Sequence, residues 1–170
     1  MSAPDARMID KARIGRLVAR SRRRGPGDLP GLIAYVGLAP MVAAGLVVVF
    51  GGIGPFSAGA ALAALKYYSA IVLGFLGGIR WGMAMRVETT ARGAMLIAAS
   101  IVPAFIAFVA LLLPDAAGLG LLAAGIAGMG AWDVWSIEAG GGPSWYGRLR
   151  LRSTLIAAGI IALALLSLGA

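Results

Sequence analysis

Long apolar stretches, separated by short polar turns, dominate the chain. Each stretch is close to the roughly 20 residues that a helix needs to cross a hydrocarbon core of about 30 Å. The pattern predicts five membrane-spanning helices, at about 31–51, 67–85, 93–113, 117–138 and 153–169. For the second of them, a helical extension that begins at Ser57 is an alternative. The predicted fold class is therefore an all-α, multi-pass transmembrane helical bundle.

The composition excludes a water-soluble globule. Hydrophobic residues make up 60% of the chain and charged residues 13%, with a mean hydropathy of +0.90. A soluble domain is about 45–50% apolar and about 25% charged. The chain has no cysteine and no histidine. This excludes disulfides, Cys/His zinc sites, His-ligated haem, cysteine nucleophiles and a Ser-His-Asp triad. We therefore expect no metal and no cofactor.

Positive charges lie at alternate ends of the predicted spans. All but two of the fifteen Lys and Arg residues precede the first span or lie in the second-to-third and fourth-to-fifth loops. They are Arg7, Lys11, Arg13, Arg16, Arg20, Arg22, Arg23, Arg24, Arg86, Arg92, Arg148, Arg150 and Arg152. Cytoplasmic loops carry an excess of such residues. The asymmetry predicts a cytoplasmic N-terminus and an outside C-terminus. The tryptophans map near the same cytoplasmic interface and two tyrosines near the other: Trp81, Trp132, Trp135 and Trp145, against Tyr67 and Tyr68.

Residues 1–29 form a separate, basic segment before the membrane domain of residues 30–170. We interpret it as a cytoplasmic arm that is attracted to anionic phospholipid headgroups, at about 1 kcal/mol for each nearby cation. The arginines closest to the bilayer are Arg20, Arg22, Arg23 and Arg24. The arm has no interleaved aromatic residues, which disfavours nucleic-acid binding.

Two rows of small residues recur at helical spacing. Gly74, Gly78 and Gly82 share one face of the second span, and the fourth span has a similar row, Gly120, Ala124 and Gly128. Small residues at this spacing let helix backbones approach closely. We expect both rows to pack helices, within the chain or against a partner. Two prolines, Pro40 and Pro103, are expected to bend the first and third spans.

Arg80 and Asp133 are the clearest candidates for an ion pair inside the membrane. A charge at the bilayer centre costs at least about 2.5–3.5 kcal/mol, so such residues face protein or water and find partners. Both lie near the cytoplasmic ends of spans that run in the same direction. We therefore predict an Arg80–Asp133 ion pair, with Glu138 as the fallback partner. The alternative is that Arg80 snorkels to the cytoplasmic phosphates.

Lys66 lies on the same face of the second span as Arg80, about 21 Å away along a continuous helix. Its neighbours Tyr67 and Tyr68 place it near the outer interface, where Asp115 is the other charged residue. We expect Lys66 to snorkel and Asp115 to cap the fourth span. A functional alternative makes the Lys66/Arg80 face the wall of a polar cavity, with water beside Gly77.

Two segments resemble an uncharacterised family of bacterial inner-membrane proteins, which has mitochondrial relatives known as transmembrane proteins. The first segment is Phe75-Leu76-Gly77-Gly78-Ile79-Arg80-Trp81-Gly82. The second is Pro143-Ser144-Trp145-Tyr146, followed by Leu149-Arg150. The resemblance extends from about Leu32 to the C-terminus and omits the basic arm. It implies five membrane helices and no known reaction. Its motif residues here are Gly77, Trp81, Pro143, Trp145, Tyr146 and Arg150.

No constellation of catalytic residues emerges from the sequence, so we do not expect an enzyme. The preferred hypothesis is a structural, assembly or accessory component of the membrane or of a larger membrane complex. Its expected partners are the lipid bilayer and another membrane protein or a second copy of this chain. The alternative is a small oligomeric transporter or channel for an anionic or polar solute, using the Lys66/Arg80 face.

Overall fold

The computed structural model of the protein describes residues 29–85, 91–141 and 143–169. At Arg92, Gly140 and Gly141 it describes the backbone alone. In chain order the elements are α1 (Leu29–Val49), β1 (Gly52–Ile53), β2 (Phe56–Ser57), α2 (Ala58–Ala84), α3 (Ala91–Ser100), α4 (Val102–Leu112), α5 (Asp115–Ser136), a π-helical turn (Ile137–Gly141) and α6 (Ser144–Leu168). The arm predicted for residues 1–29, with its arginines, lies outside the described residues except for residue 29, which begins α1.

Five helical segments are long and apolar enough to cross a membrane, which confirms the predicted number of spans. They are Leu29–Val49, Ala58–Ala84, Gly93–Leu112, Asp115–Ala139 and Ser144–Leu168. The third consists of α3 and α4, which are separated at Ile101. Pro103, in the first turn of α4, has no amide hydrogen to donate to the preceding turn, and the break lies where a bend was predicted. By contrast, α1 continues through Pro40.

Several helix boundaries differ from those predicted. α6 begins at Ser144 rather than near residue 153, so Arg148, Arg150 and Arg152 lie on a helix and not in a loop. α2 includes the extension from Ser57, whose side chain caps the helix by accepting a hydrogen bond from the Ala60 amide (3.2 Å). Asp115 is the first residue of α5 and makes no capping hydrogen bond. The prediction that it caps this helix is therefore wrong.

A tight hairpin joins α1 to α2. In it β1 pairs antiparallel with β2, with Gly52 opposite Ser57 and Ile53 opposite Phe56. Gly51, Gly52 and Gly54 have φ angles of 70°, 122° and 56°. Glycine is needed at such positions because a Cβ makes positive φ unfavourable. These glycines therefore allow a short hairpin, and α2 begins directly after β2.

α2 is the central helix, since it packs against α1, α3, α4 and α5, while α6 packs against α1 and α5. The fully buried side chains include Met41, Leu65, Leu73, Leu122 and Ile161. Many large apolar side chains face outwards, with Phe75, Phe105 and Leu166 more than 60% exposed. The interior instead encloses charged side chains, namely Lys66, Arg80, Asp133 and Arg150. An apolar exterior around buried charges suits a bundle that lies in lipid.

Candidate functional site

Three helices bring Arg80, Asp133 and Arg150 together into a buried group, the charge cluster. The two carboxylate oxygens of Asp133 on α5 face different arginines. Arg80 Nε on α2 lies 2.7 Å from Oδ1, and Arg150 Nε on α6 donates to Oδ2 at 2.5 Å. The side chains of Arg80, Asp133 and Arg150 are 8%, 4% and 11% exposed. One carboxylate therefore joins α2 and α6 to α5.

The positions of these residues along their helices explain why they meet. Arg80 lies about one turn before the end of α2, and Asp133 lies near the end of α5. Arg150 lies in the first two turns of α6, which follows α5 after the π-helical turn and returns in the opposite direction. The ends of α2 and α5 and the start of α6 are thus at the same end of the bundle. At this depth each guanidinium needs a partner.

Aromatic side chains complete the surroundings of the cluster. The guanidinium carbon of Arg80 lies 4.4 Å from the centroid of the Trp132 ring, a cation–π distance. Tyr146 packs edge-on against Trp145, with ring centroids 5.9 Å apart and planes at 79°. The Tyr146 hydroxyl is buried about one helical turn before Arg150. Trp132 therefore stabilises a cation, in addition to any role at the membrane interface.

Several polar atoms in and around the cluster have no hydrogen-bond partner among the described residues. They are Arg80 Nε and Nη2, Tyr146 Oη, Arg150 Nη2, Ser153 Oγ and Thr154 Oγ1. Arg80 Nε is close to Asp133 but is not aligned for a hydrogen bond. Every one of these atoms can donate a hydrogen bond. The site thus has more donors and more positive charge than its one carboxylate can satisfy.

A second ion pair lies at the opposite end of α2 and α5. Lys66 Nζ donates to the Leu113 carbonyl (2.6 Å) and to Asp115 Oδ1 (3.0 Å). Lys66 is buried, with its side chain 8% exposed, whereas the Asp115 side chain is 56% exposed. The prediction that Lys66 snorkels is therefore wrong, because an acceptor carbonyl and a carboxylate are within its reach. Ion pairs therefore connect the parallel helices α2 and α5 near both of their ends.

The Lys66–Asp115 pair is expected to contribute little to stability. Lys66→Met and Asp115→Asn should each lower the free energy of unfolding by about 1 kcal/mol or less, because the carboxylate is exposed and water screens the pair. Unfolding in mixed micelles, followed by tryptophan fluorescence, measures this. A loss as large as that of Asp133→Asn would contradict the expectation.

The structure brings the predicted pair Arg80 and Asp133 within ion-pair distance. Among the described residues, no ion pair joins the fallback partner Glu138 to Arg80, and Glu138 is exposed in the π-helical turn. Arg150 was expected to be a loop cation, and its contact with Asp133 was missed. Pro143, directly before α6, is the signal that could have revealed it, because proline favours helix starts.

Within the described chain, the two rows of small residues do not pack helices together as expected. A Cβ at Gly74, Gly78 or Gly82 would meet no atom within 4 Å. The same holds for Gly120 and Gly128, and Ala124 between them is exposed. The reason on α2 is that its glycine row lies roughly opposite Arg80 and Lys66. Once the charges turn inwards to reach partners, the glycines face out.

Close helix contacts instead use a different set of glycines: Gly45, Gly77, Gly118, Gly125 and Gly130. A Cβ at Gly77 would lie 2.6 Å from the Ser100 carbonyl oxygen and 3.4 Å from Pro103 Cβ. Backbone and proline therefore fill the space beside Gly77, where the transport alternative expected water. A Cβ at Gly118 would collide with the Ala110 carbonyl oxygen.

The two segments that carry the family resemblance meet at the charge cluster. The first supplies Arg80, and the second supplies Tyr146 and Arg150. Pro143 occupies the N-cap position of α6, and Trp145 packs against Tyr146. Trp81 is 45% exposed on the outer surface. The segments are distant in sequence, so their meeting is a property of the tertiary structure.

Among the described residues, no three carboxylates come close enough together to hold an ion.

A family model described as "Protein of unknown function (DUF3429)" matches residues 29–166. No curated protein and no solved structure matches the chain. The matched region includes the charge cluster and all five helical segments except the last two residues of the fifth. The chain therefore belongs to the DUF3429 family of proteins of unknown function.

Proposed function

We propose that the chain is a non-enzymatic assembly or accessory component of a larger complex in a bacterial inner membrane. The observation that carries the proposal is the outward position of Gly74, Gly78 and Gly82, here called the α2 glycine row. Among the described residues, no atom would lie within 4 Å of a Cβ in this row, and the close helix contacts inside the bundle use other glycines. A second helix could approach the α2 backbone along it.

The surroundings of the α2 glycine row support a protein contact. Ile71 and Phe75 are 65% and 67% exposed, and Trp81 on the same helix is 45% exposed. Large apolar side chains next to a row without side chains offer both close backbone approach and dispersion contacts to a partner helix. The chain's buried charges, in contrast, lie inside the bundle and form ion pairs there. The partner is a second copy of this chain or another membrane protein.

The distribution of cations supports a cytoplasmic N-terminus and an outside C-terminus. Arg148 and Arg152 are exposed near the start of α6, at the end of the bundle that holds the charge cluster. We propose that this end faces the cytoplasm, where the basic arm with Arg20, Arg22, Arg23 and Arg24 binds anionic phospholipid headgroups.

The transport alternative lacks a supporting observation. It requires the Lys66/Arg80 face to line a polar path, but both side chains are buried against their partners. Catalysis likewise lacks support, since the described carboxylates lie beside cations or are exposed rather than paired in a cleft.

Gly78→Leu is expected to dissociate the protein from its complex while leaving the folded chain stable. The new side chain meets nothing within 4 Å inside the chain, yet it blocks close approach of a partner to α2. The measurement is the native mass of the protein after mild extraction from its own membranes, together with its thermal unfolding.

The matched control is Gly37→Leu on α1, which is also open to the outside. It should leave the native mass unchanged. Wild-type protein that already migrates as a monomer would overturn the proposal, and so would an equal mass loss in both variants. Because the chain has no cysteine, Gly78→Cys with a bifunctional cross-linker then reports whether the partner is a second copy.

A further inference from the structure

Among the described residues, the charge cluster has one more positive charge than negative charge. Two guanidinium groups share the single carboxylate of Asp133, and arginine does not lose its proton in proteins. The other charged side chains described at this end, Arg148, Arg152 and Glu138, are exposed. A buried charge without a counter-charge is strongly unfavourable. Within the described part of the chain, the cluster thus lacks one negative charge.

Two hydroxyl groups beside the cluster indicate the position of the additional negative charge. Ser69, Ser100, Ser136 and Ser167 all donate to a backbone carbonyl of the preceding helical turn, at 2.6, 2.6, 3.2 and 2.7 Å. Ser153 and Thr154 do not, although both are buried on α6. They lie within about one turn of Arg150. Their hydroxyl protons therefore remain available to something other than the helix backbone.

The same neighbourhood holds the other donors without partners among the described residues. Arg80 Nη2 and Arg150 Nη2 are buried on either side of Asp133, and Tyr146 Oη lies about one turn before Arg150. The Thr154 side chain packs against Gly130, about one turn before Asp133 on α5. Buried polar groups in folded proteins are almost always satisfied, by protein, water or an ion. A water molecule would satisfy donors but not the charge.

We propose that the charge cluster, with Tyr146, Ser153 and Thr154, binds an oxyanion that carries a single negative charge. Guanidinium groups suit oxyanions because their planar N–H donors match the spacing of two oxygens. One negative charge neutralises the excess left by Arg80, Asp133 and Arg150. The inference goes beyond the proposed assembly function, since it needs neither a partner helix nor the α2 glycine row.

Two sources can supply this chemistry. Arg80 lies about 6 Å along the helix axis from the end of α2 at Ala84. This is close enough to the end of the bundle for the phosphodiester of a phospholipid headgroup to reach it. A free oxyanion such as inorganic phosphate can enter from the aqueous side at the same end.

The test uses the full-length chain, delipidated in a neutral detergent, and measures the midpoint of thermal unfolding. The probes are inorganic phosphate at constant ionic strength and phosphatidylglycerol, with phosphatidylcholine as the uncharged comparison. We expect a saturable rise in the midpoint with one of the two anionic probes. Native mass spectrometry should show one bound molecule. A response to phosphate identifies a free oxyanion, and a response to phosphatidylglycerol alone identifies a headgroup.

The variants separate binding from folding. The double variant Ser153→Ala/Thr154→Val keeps both ion pairs intact and should weaken probe binding at least tenfold. Without probe, its midpoint should equal or exceed that of the wild type, because a buried unsatisfied donor is removed. Ser100→Ala is the matched control, since its hydroxyl already has a backbone partner. Arg150→Gln should abolish the response if it folds.

Three results would overturn the proposal. The first is no saturable response to either probe in the wild type. The second is an unchanged response in Ser153→Ala/Thr154→Val, which indicates an adventitious ion only. The third concerns Glu88, which lies outside the described residues. If the midpoint of Glu88→Gln responds to an anionic probe and that of the wild type does not, the missing negative charge is a carboxylate of the chain itself.

Discussion

Asp133→Asn is expected to destabilise the protein more than any other single charge substitution. The change keeps the size of the side chain but leaves Arg80 and Arg150 buried without their shared counter-charge. Removing one partner of a buried ion pair costs about 3–5 kcal/mol, and here two cations lose the same partner. Reversible unfolding in mixed micelles measures the loss. Tryptophan fluorescence follows the unfolding, and one of the four tryptophans, Trp132, has its ring against Arg80.

The comparison with the arginine variants makes the expectation specific. Arg80→Gln leaves a neutral Arg150–Asp133 pair, and Arg150→Gln leaves a neutral Arg80–Asp133 pair, so each should cost less than Asp133→Asn. Asp115→Asn, at the exposed end of the other ion pair, serves as the control. A loss for Asp133→Asn no greater than that for Arg80→Gln would show that Asp133 does not serve both arginines.

Gly118→Ala is expected to cost about 3 kcal/mol, at the upper end of the range for overpacking. A Cβ at this position would collide with the Ala110 carbonyl oxygen and lie 2.8 Å from Lys66 Cε. Backbone cannot move aside as a flexible side chain can. The helices α4 and α5 would therefore have to separate, which also disturbs the Lys66–Asp115 pair. Thermal unfolding in detergent is the measurement.

The control for this prediction lies on the same helix. Gly120→Ala adds the same methyl group at a position where nothing lies within 4 Å. Its stability should be unchanged or slightly higher, since alanine favours the helix over glycine by about 1 kcal/mol. Equal behaviour of the two variants would mean that the approach of Gly118 to Ala110 is not a tight contact.

The number of helices and the depth of two charges could be predicted from the sequence. Apolar length alone determines how often a chain can cross a bilayer, and it gave five segments. Arg80 and Asp133 lie at similar distances from the ends of parallel helices, so matched depth sufficed to suggest their contact. Both inferences depend on position along a helix axis, which sequence numbering measures directly.

Within the described chain the glycine rows make no close helix contact, and the reason is physical. A row of small residues shows that a helix can be approached closely, but not which neighbour approaches it. On α2, the inward face is selected by Lys66 and Arg80, whose burial without partners costs more than the dispersion contacts of a glycine row contribute. The rows consequently lie on the outer surface, and Gly77 and Gly118 make the tight contacts.

The chain's own residues thus determine its apolar segments, their lengths and the depth of each charge. The tertiary structure decides the rotation of each helix about its axis, the early start of α6 at Ser144 and the sharing of Asp133 by Arg80 and Arg150. Helices that are apolar on nearly every face have no hydrophobic stripe to orient them in lipid. Their rotation is set by ion pairs and close backbone contacts between segments that are distant in sequence, and those form only in the assembled bundle.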